Sequence, residues 1–144
     1  DEQVQGALEW KLPLVIHCRE AFPELFQVME PYKHTELTGV FHSFTGTVDE
    51  ARELMDYSRF MIGINGVVTF KKSTLPEVLK EVPLAKLVLE TDSPYLAPVP
   101  FRGKRNETSY VKRVAVKLAE LYGMEIGEVE RQTTENALKV FKNR

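Results

Sequence analysis

Three residues of metal-ligand type each follow directly on a short apolar stretch of the chain. His17 ends Leu-Pro-Leu-Val-Ile-His, His42 ends Gly-Val-Phe-His, and Asp92 follows Leu-Val-Leu-Glu-Thr. Short continuous apolar runs are typical of parallel strands buried on both faces, and catalytic groups of α/β barrels lie where such strands end. The pattern therefore predicts that His17, His42 and Asp92 share one site at the carboxyl edge of a parallel sheet.

Each of these residues also has a purely structural interpretation, which the residues alone leave open. A histidine that ends an apolar strand can be a hydrogen-bonded core group, and Asp92 can cap the turn before Ser93 and Pro94. His34 lies in a polar stretch and is expected at the surface. No nucleophile motif surrounds Cys18, which is interpreted as a small buried neighbour of His17.

The elements that position these residues alternate along the chain. Apolar runs predict strands at 14–17, at 39–42, at 60–64 with a continuation into 65–70, and at 87–91. Helical spacing predicts helices at 21–30, 48–57, 75–82, 110–122 and 128–141. A helical turn opens the chain, and a long loop covers 92–108. This alternation is typical of repeated βα units around a parallel sheet. No second composition zone appears, so residues 1–144 are expected to form one domain.

Composition limits the classes of protein to which this sequence can belong. The chain is 43% hydrophobic and 28% charged, which is ordinary for a globular domain, and its net charge of −2 means that any nucleic-acid contact must be local. Cys18 is the single cysteine, which excludes an internal disulfide and favours a reducing compartment. No apolar stretch approaches the roughly 20 residues that span a bilayer, and no basic signal-peptide start is present. A cytoplasmic protein without membrane contact is expected.

Five segments carry a resemblance to a known family. His-Cys-Arg-Glu-Ala at 17–21, His-Ser-Phe-Thr-Gly at 42–46, Glu-Thr-Asp-Ser-Pro-Tyr-Leu-Ala-Pro at 90–98, Arg-Gly-Lys-Arg-Asn at 102–106 and Thr-Thr-Glu-Asn-Ala at 133–137 resemble the TatD-type metal-dependent deoxyribonucleases. That family uses a TIM-type (β/α)8 barrel, and such a barrel takes about 250 residues. The resemblance thus implies the C-terminal half of a barrel, with about four βα units. The family's His-x-His pair and bridging glutamate would lie before residue 1.

The resemblance also implies a reaction. His17, His42 and Asp92 would be metal ligands, and Asp92 would orient or deprotonate the water that attacks a phosphodiester bond of DNA. Mixed imidazole and carboxylate ligands suit Zn²⁺ or Mn²⁺, with Mg²⁺ favoured where oxygen ligands dominate. Divalent metal ions of these kinds are the expected cofactors, and Asp92 is the expected catalytic residue.

Two charged residues beside the ligands are expected to support them. Glu90 lies two residues before Asp92 and so points to the same side of the strand, as a partner of the ligands deeper in the site. Burying it alone would be costly, so a cationic or hydrogen-bonding neighbour is expected. Arg19 is expected to face an anionic substrate or a buried carboxylate such as Glu90.

The basic run after Asp92 is expected on the substrate side. Arg102, Lys104 and Arg105 could hold a phosphodiester backbone, with Asn106 as a further neutral donor, although most short charge runs are simply exposed loop. Two nearby aromatic residues, Tyr95 and Phe101, could stack on a base or pack the loop against the barrel rim. The packing role is favoured for both.

Two alternatives to the nuclease prediction remain. One is a related amidohydrolase-type barrel that acts on an amide or lactone. The other is a catalytically incomplete half-barrel that serves as a binding or assembly module. In a half-barrel, the strands at 14–17 and 87–91 would keep unpaired edges, and the interior face of all four strands would be half exposed. Self-association or a missing N-terminal half is therefore expected.

Overall fold

A single parallel sheet organises the computed structural model, which describes residues 2–141. Its strands are β1 (Leu14–His17), β2 (Gly39–His42), β3 (Phe60–Ile64) and β4 (Leu87–Leu89), hydrogen-bonded in the order β1-β2-β3-β4. The helices are α1 (Glu2–Glu9), α2 (Phe22–Met29), α3 (Val48–Met55), α4 (Leu75–Leu79), α5 (Val111–Tyr122) and α6 (Ile126–Phe141). The predicted α/β class with a parallel sheet is confirmed.

Some element boundaries differ from the predicted ones, each because of a local hydrogen bond or turn. The side chain of Asn65 accepts a hydrogen bond from the Val67 N–H and starts a 3₁₀ turn at Gly66–Thr69, where the apolar pattern suggested more strand. Pro31 does not end the second helical segment at once, because a 3₁₀ turn, Glu30–Tyr32, follows α2. At the end of α5, Gly123 takes a left-handed conformation, as expected of a helix-terminating glycine.

One face of the sheet packs against helices and forms the main core. The side chains that share it come from β2, β3 and β4 and from helices α2, α3 and α5. They include Phe41, Ile62, Ile64, Leu87, Met29, Leu54, Val114 and Leu118, each at most 3% exposed. These residues supply the apolar burial that holds the sheet in place.

The opposite face of the sheet, on which His17 and His42 also lie by strand alternation, is covered in part by α6. Val40, Met61 and Val88 pack against Val140 and are at most 6% exposed. The expectation of a half-exposed interior face on all four strands is therefore wrong, because α6 closes the amino end of β2, β3 and β4. The exposed apolar side chain on this face is Val15 of β1, at 58%.

The sheet has open edges in the described part of the chain. Within residues 2–141, β1 pairs only with β2 and β4 pairs only with β3. None of the helices within the same residues has the length and apolarity that crossing a membrane requires.

Asn136 fastens α6 to the start of β4. Its side chain is fully buried, and its Nδ2 donates to the carbonyls of Leu84 at 2.9 Å and Leu87 at 2.8 Å. Thr133, in the same Thr-Thr-Glu-Asn-Ala segment, donates its hydroxyl to the Val129 carbonyl at 2.8 Å. This segment therefore has a structural role that its resemblance to a family motif did not specify.

We expect Asn136→Ala to lower the free energy of unfolding by about 2–4 kcal/mol, because it leaves two buried carbonyls unpaired and opens a small cavity. Thermal denaturation followed by circular dichroism measures the loss. Glu135→Ala is the matched control: Glu135 is exposed and, within residues 2–141, its ion pair is with Arg131 on the helix surface, so its loss costs about 0.5 kcal/mol or less. Equal melting temperatures for the two variants would contradict this role of Asn136.

Candidate metal centre

His17 and His42 stand side by side at the carboxyl edge of the sheet. They are register partners on β1 and β2, and their ring centroids lie 5.7 Å apart at an interplanar angle of 47°. His17 is exposed, whereas His42 is half-buried. The two predicted imidazole ligands therefore share one surface.

His42 lies between two carboxylates. Its Nδ1 is 2.9 Å from Glu90 Oε2, and its Nε2 is 3.6 Å from Asp92 Oδ1. The ligand atoms of His42, Glu90 and Asp92 lie within 4.8 Å of one another. The structure thus brings His42 and Asp92 together as predicted, with His17 beside them but outside this tight group.

Glu90 reaches His42 across an intervening strand. β2 and β4 are separated by β3, and a Cβ at position 63 would lie 2.5 Å from the Glu90 carboxylate, so a side chain there would displace the carboxylate from its present position. The backbone N–H of Ser43 donates to Glu90 Oε1 at 2.5 Å. Burial raises the pKa of the Glu90 carboxyl, while the hydrogen bonds from His42 and Ser43 act to lower it.

The expectation that Glu90 has a hydrogen-bonding neighbour is confirmed, and the neighbours are His42 and Ser43. Among residues 2–141, no ion pair joins Glu90 to Arg19. In the neutral imidazole, the contact with Glu90 assigns the ring proton of His42 to Nδ1 and leaves the Nε2 lone pair facing Asp92. Carboxylates hold metal-binding histidines in this manner.

Asn65 is a residue of the site that sequence reasoning missed. It directly follows β3, is 1% exposed, and donates through Nδ2 to Asp92 Oδ1 at 3.0 Å and to Ser43 Oγ at 2.7 Å. A signal was available, because Asn65 is a polar residue at the end of an apolar strand, as His17 and His42 are. The apolar residues that follow it favour a continuing strand instead.

A cavity of about 970 Å³ opens beside these residues. His17, Arg19 and Asp92 lie on its wall, so Arg19 faces the same space as two of the three predicted ligands. The volume is at the upper end of the range for small-molecule sites. Cys18 also borders it, and burial raises the pKa of its thiol, which does not favour a thiolate nucleophile.

All three cations of the basic run are exposed, and one of them is also anchored to the protein. The Arg102 guanidinium lies 3.7 Å from the centroid of the Phe70 ring, and its Nη1 donates to the Ala97 carbonyl at 3.3 Å. Lys104 is exposed, and Arg105 is exposed with its Nε 3.6 Å from Glu107 Oε1. Arg102 therefore holds the loop in place, while the other two cations face solvent.

The remaining loop residues correct two expectations. Asn106 is 2% exposed and donates through Nδ2 to the Tyr95 carbonyl at 2.7 Å, so its amide fastens the loop and is not an exposed phosphate donor. Phe101 stacks on Tyr110 at a centroid distance of 4.0 Å, which confirms its pinning role. Tyr95 is 75% exposed, so pinning was wrong for its ring.

Comparison with known proteins gives relatives over nearly the whole chain. The metal-dependent hydrolase YabD of Bacillus subtilis strain 168, itself uncharacterized, is 44% identical over 141 residues, which are 97% of this chain and 55% of YabD. A Pantoea ananatis protein named 3'-5' ssDNA/RNA exonuclease TatD is 34% identical over 147 residues, covering 98% of this chain and 56% of its own. The chain spans about half the length of the curated relatives it matches.

The fold and the family agree with these relatives. The crystal structure of YJJV, a TatD homolog from Escherichia coli K12, matches with a TM-score of 0.91 and 29% identity over 100% of this chain and 55% of that one. The model of TatD-related DNases matches residues 1–142. The chain therefore belongs to the TatD-related DNase family of metal-dependent hydrolases.

Proposed function

We propose that this chain supplies the carboxyl-terminal part of a metal-dependent site that hydrolyses phosphodiester bonds in DNA. The observation that carries the proposal is the arrangement of His42, whose Nδ1 is held by Glu90 while its Nε2 faces Asp92. A half-buried carboxylate fixes the imidazole, which faces a second carboxylate, and such mixed nitrogen and oxygen donors suit a divalent ion.

The donors present fit such an ion. His17, His42 and Asp92 would hold it, with two imidazoles and one carboxylate suiting Zn²⁺ or Mn²⁺ and further oxygen ligands favouring Mg²⁺. When bound, the ion supplies Lewis-acid activation of water near neutral pH. Asp92 orients that water or accepts its proton, and Glu90 keeps His42 in place.

The proposed substrate side consists of one cation on the cavity wall and the cations of the loop that follows Asp92. Arg19 faces the same cavity as His17 and Asp92 and is suited to a phosphate oxygen. Lys104 and Arg105 extend the cationic surface over the loop that follows Asp92 and are suited to further phosphates of the strand. Arg102 contributes through the shape of this loop, because its guanidinium packs on Phe70.

DNA is favoured over amide or lactone substrates by this loop. An exposed pair of cations in the loop that follows the proposed hydrolytic residue fits a polyanion, and the exposed ring of Tyr95 offers a surface for an unpaired base. The name of the Pantoea relative, an ssDNA/RNA exonuclease, also favours a nucleic-acid substrate. A cytoplasmic location is part of this proposal.

The architecture that we propose is the C-terminal half of a TIM-type barrel. β1 presents an open edge with Val15 at 58% exposure, which is suited to a further strand from an N-terminal half or from a second copy. We expect static light scattering on the dilute chain to give a mass above that of the 16.5 kDa monomer. A monodisperse monomer with a cooperative thermal transition would oppose self-association.

The hydrolytic role is tested with Mg²⁺, Mn²⁺ and Zn²⁺ on single-stranded and duplex DNA, beside a panel of amides and lactones. We expect weak cleavage of DNA by the chain alone, because its ligands approach the ion from one side, and stronger cleavage when the N-terminal half of YabD is fused to it. Asp92→Asn should remove the activity of both forms.

Other results of this assay separate the alternatives. Turnover of a lactone or amide without cleavage of DNA would favour the amidohydrolase alternative. Absence of any metal-dependent turnover in both forms would favour a binding or assembly module. Cleavage that survives Asp92→Asn would contradict the role of Asp92.

Glu90→Gln should weaken divalent-ion binding about 10- to 100-fold, because the amide cannot accept from both His42 and Ser43 and lacks the charge that orients the imidazole. Competition between the protein and a chromophoric chelator for Zn²⁺ gives the affinity. Glu120→Gln, on the exposed surface of α5, is the matched control and should bind as the unsubstituted chain does. Unchanged affinity in Glu90→Gln would show that His42 does not depend on Glu90.

Two variants test the loop: the double variant Lys104→Ala/Arg105→Ala and the single variant Arg102→Ala. Loss of the two exposed cations should flatten the dependence of log Kd on log salt by about one unit per phosphate contact and leave the melting temperature unchanged. Arg102→Ala should instead lower the melting temperature, since it removes the contacts with Phe70 and Ala97. An unchanged salt slope in the double variant would assign these cations to plain exposed loop.

A further inference from the structure

Asn65 connects the ends of three neighbouring strands. It follows β3, and its Nδ2 lies 2.7 Å from Ser43 Oγ, just after β2, and 3.0 Å from Asp92 Oδ1, beyond β4. Its Oδ1 accepts from the Val67 N–H at 3.1 Å. Both ends of this 1% exposed side chain are therefore used.

The orientation of the Asn65 amide follows from its partners. The Val67 N–H can only donate, so the oxygen faces Val67, and the NH₂ group faces Ser43 and Asp92. Asp92 Oδ1 thus receives a protein donor and lies 3.6 Å from His42 Nε2. Within residues 2–141, no hydrogen bond reaches Asp92 Oδ2.

We propose that Asn65 is a positioning residue for Asp92. By donating to Oδ1, it fixes the rotation of the carboxylate and leaves Oδ2 as the oxygen without a protein donor. This inference rests on the proposed function insofar as Asp92 is the hydrolytic residue. Asn65 has no role as a ligand: it acts through Asp92.

A second role of Asn65 is separable from this one. Through Oδ1, Asn65 caps the 3₁₀ turn at Gly66–Thr69, and aspartate caps helical turns about as well as asparagine. Asn65→Asp therefore keeps the cap, but it removes the donor and places a second carboxylate against Asp92. If Asn65 only capped the turn, this variant would be nearly neutral.

The test is a thermodynamic cycle of Asn65→Asp, Asp92→Asn and the variant with both changes, melted with chelator present. We expect Asn65→Asp to lower the melting temperature by about 5 °C and the double variant to recover most of the loss, because the amide and carboxylate are re-paired in reverse. An unshifted melting temperature in Asn65→Asp, or additive effects in the double variant, would overturn the proposal.

Activity supplies a second measurement on whichever form of the protein cleaves DNA. Asn65→Asp should lower kcat at least tenfold with KM little changed, and the double variant should stay inactive although its stability recovers. Asn136→Asp is the matched control: it alters a buried amide at the other end of the sheet, so it should lower the melting temperature and retain kcat. A kcat for Asn65→Asp equal to that of Asn136→Asp would overturn the proposal.

The thermal cycle and the activity measurement together distinguish a failure of this inference from a failure of the proposed function. The thermal cycle requires neither metal nor DNA, so an inactive protein with strong coupling between positions 65 and 92 would oppose only the proposed function. Additive melting temperatures in an active nuclease would oppose only the positioning role of Asn65.

Discussion

The half-buried carboxylate of Glu90 is the constraint on which the site depends. Removing a carboxylate from water is costly unless hydrogen-bond donors replace the lost hydration. Here the donors are the ring of His42, the last residue of β2, and the N–H of Ser43, which follows it. Because Glu90 follows β4, the interaction must cross β3. The bare backbone of Gly63 makes that crossing possible, and Ser43 turns its N–H towards Glu90 with a positive φ of 53°.

The rest of the sheet keeps this crossing rigid. The parallel register places His17 opposite His42, so one hydrogen-bonded ladder sets the positions of both imidazoles. On the same face, α6 covers Val40, Met61 and Val88 and is fastened by Asn136 to the carbonyls before and within β4. Apolar burial at the amino end of the strands therefore supports a polar site at their carboxyl end, which is the division of labour found in barrel enzymes.

Much of this arrangement could be predicted from the sequence because it depends on local patterns. Apolar runs predicted four strands at the right places, although β4 ends at Leu89 and not at residue 91, and the rule that chemistry lies at strand ends selected His17, His42 and Asp92 as candidates. Glu90 was placed correctly from strand alternation, and the structure confirms its need for a hydrogen-bonding neighbour. Its partner could not be identified, since the choice between Arg19 and His42 depends on which strands are adjacent and on the space above Gly63.

Long-range packing accounts for what the sequence did not reveal. α6 covers the second face of the sheet. Its apolar residues have the same helical spacing as those of a helix on the first face, so periodicity does not predict which face α6 occupies. Charge likewise does not predict which cations of a basic run contact the protein. Arg102 and Lys104 lie two positions apart, yet Arg102 packs on the Phe70 ring while Lys104 is exposed.

The same reasoning explains why Asn65 escaped notice. The apolar residues after Asn65 favour a continuing strand, whereas its side chain in fact caps a turn through the Val67 N–H. Its amide nitrogen, however, is directed at oxygens from two other strand ends, and such a role becomes visible only when the three strands are assembled. A residue that satisfies a local rule can therefore also complete the polar network of a site, because its donor and acceptor face different parts of the fold.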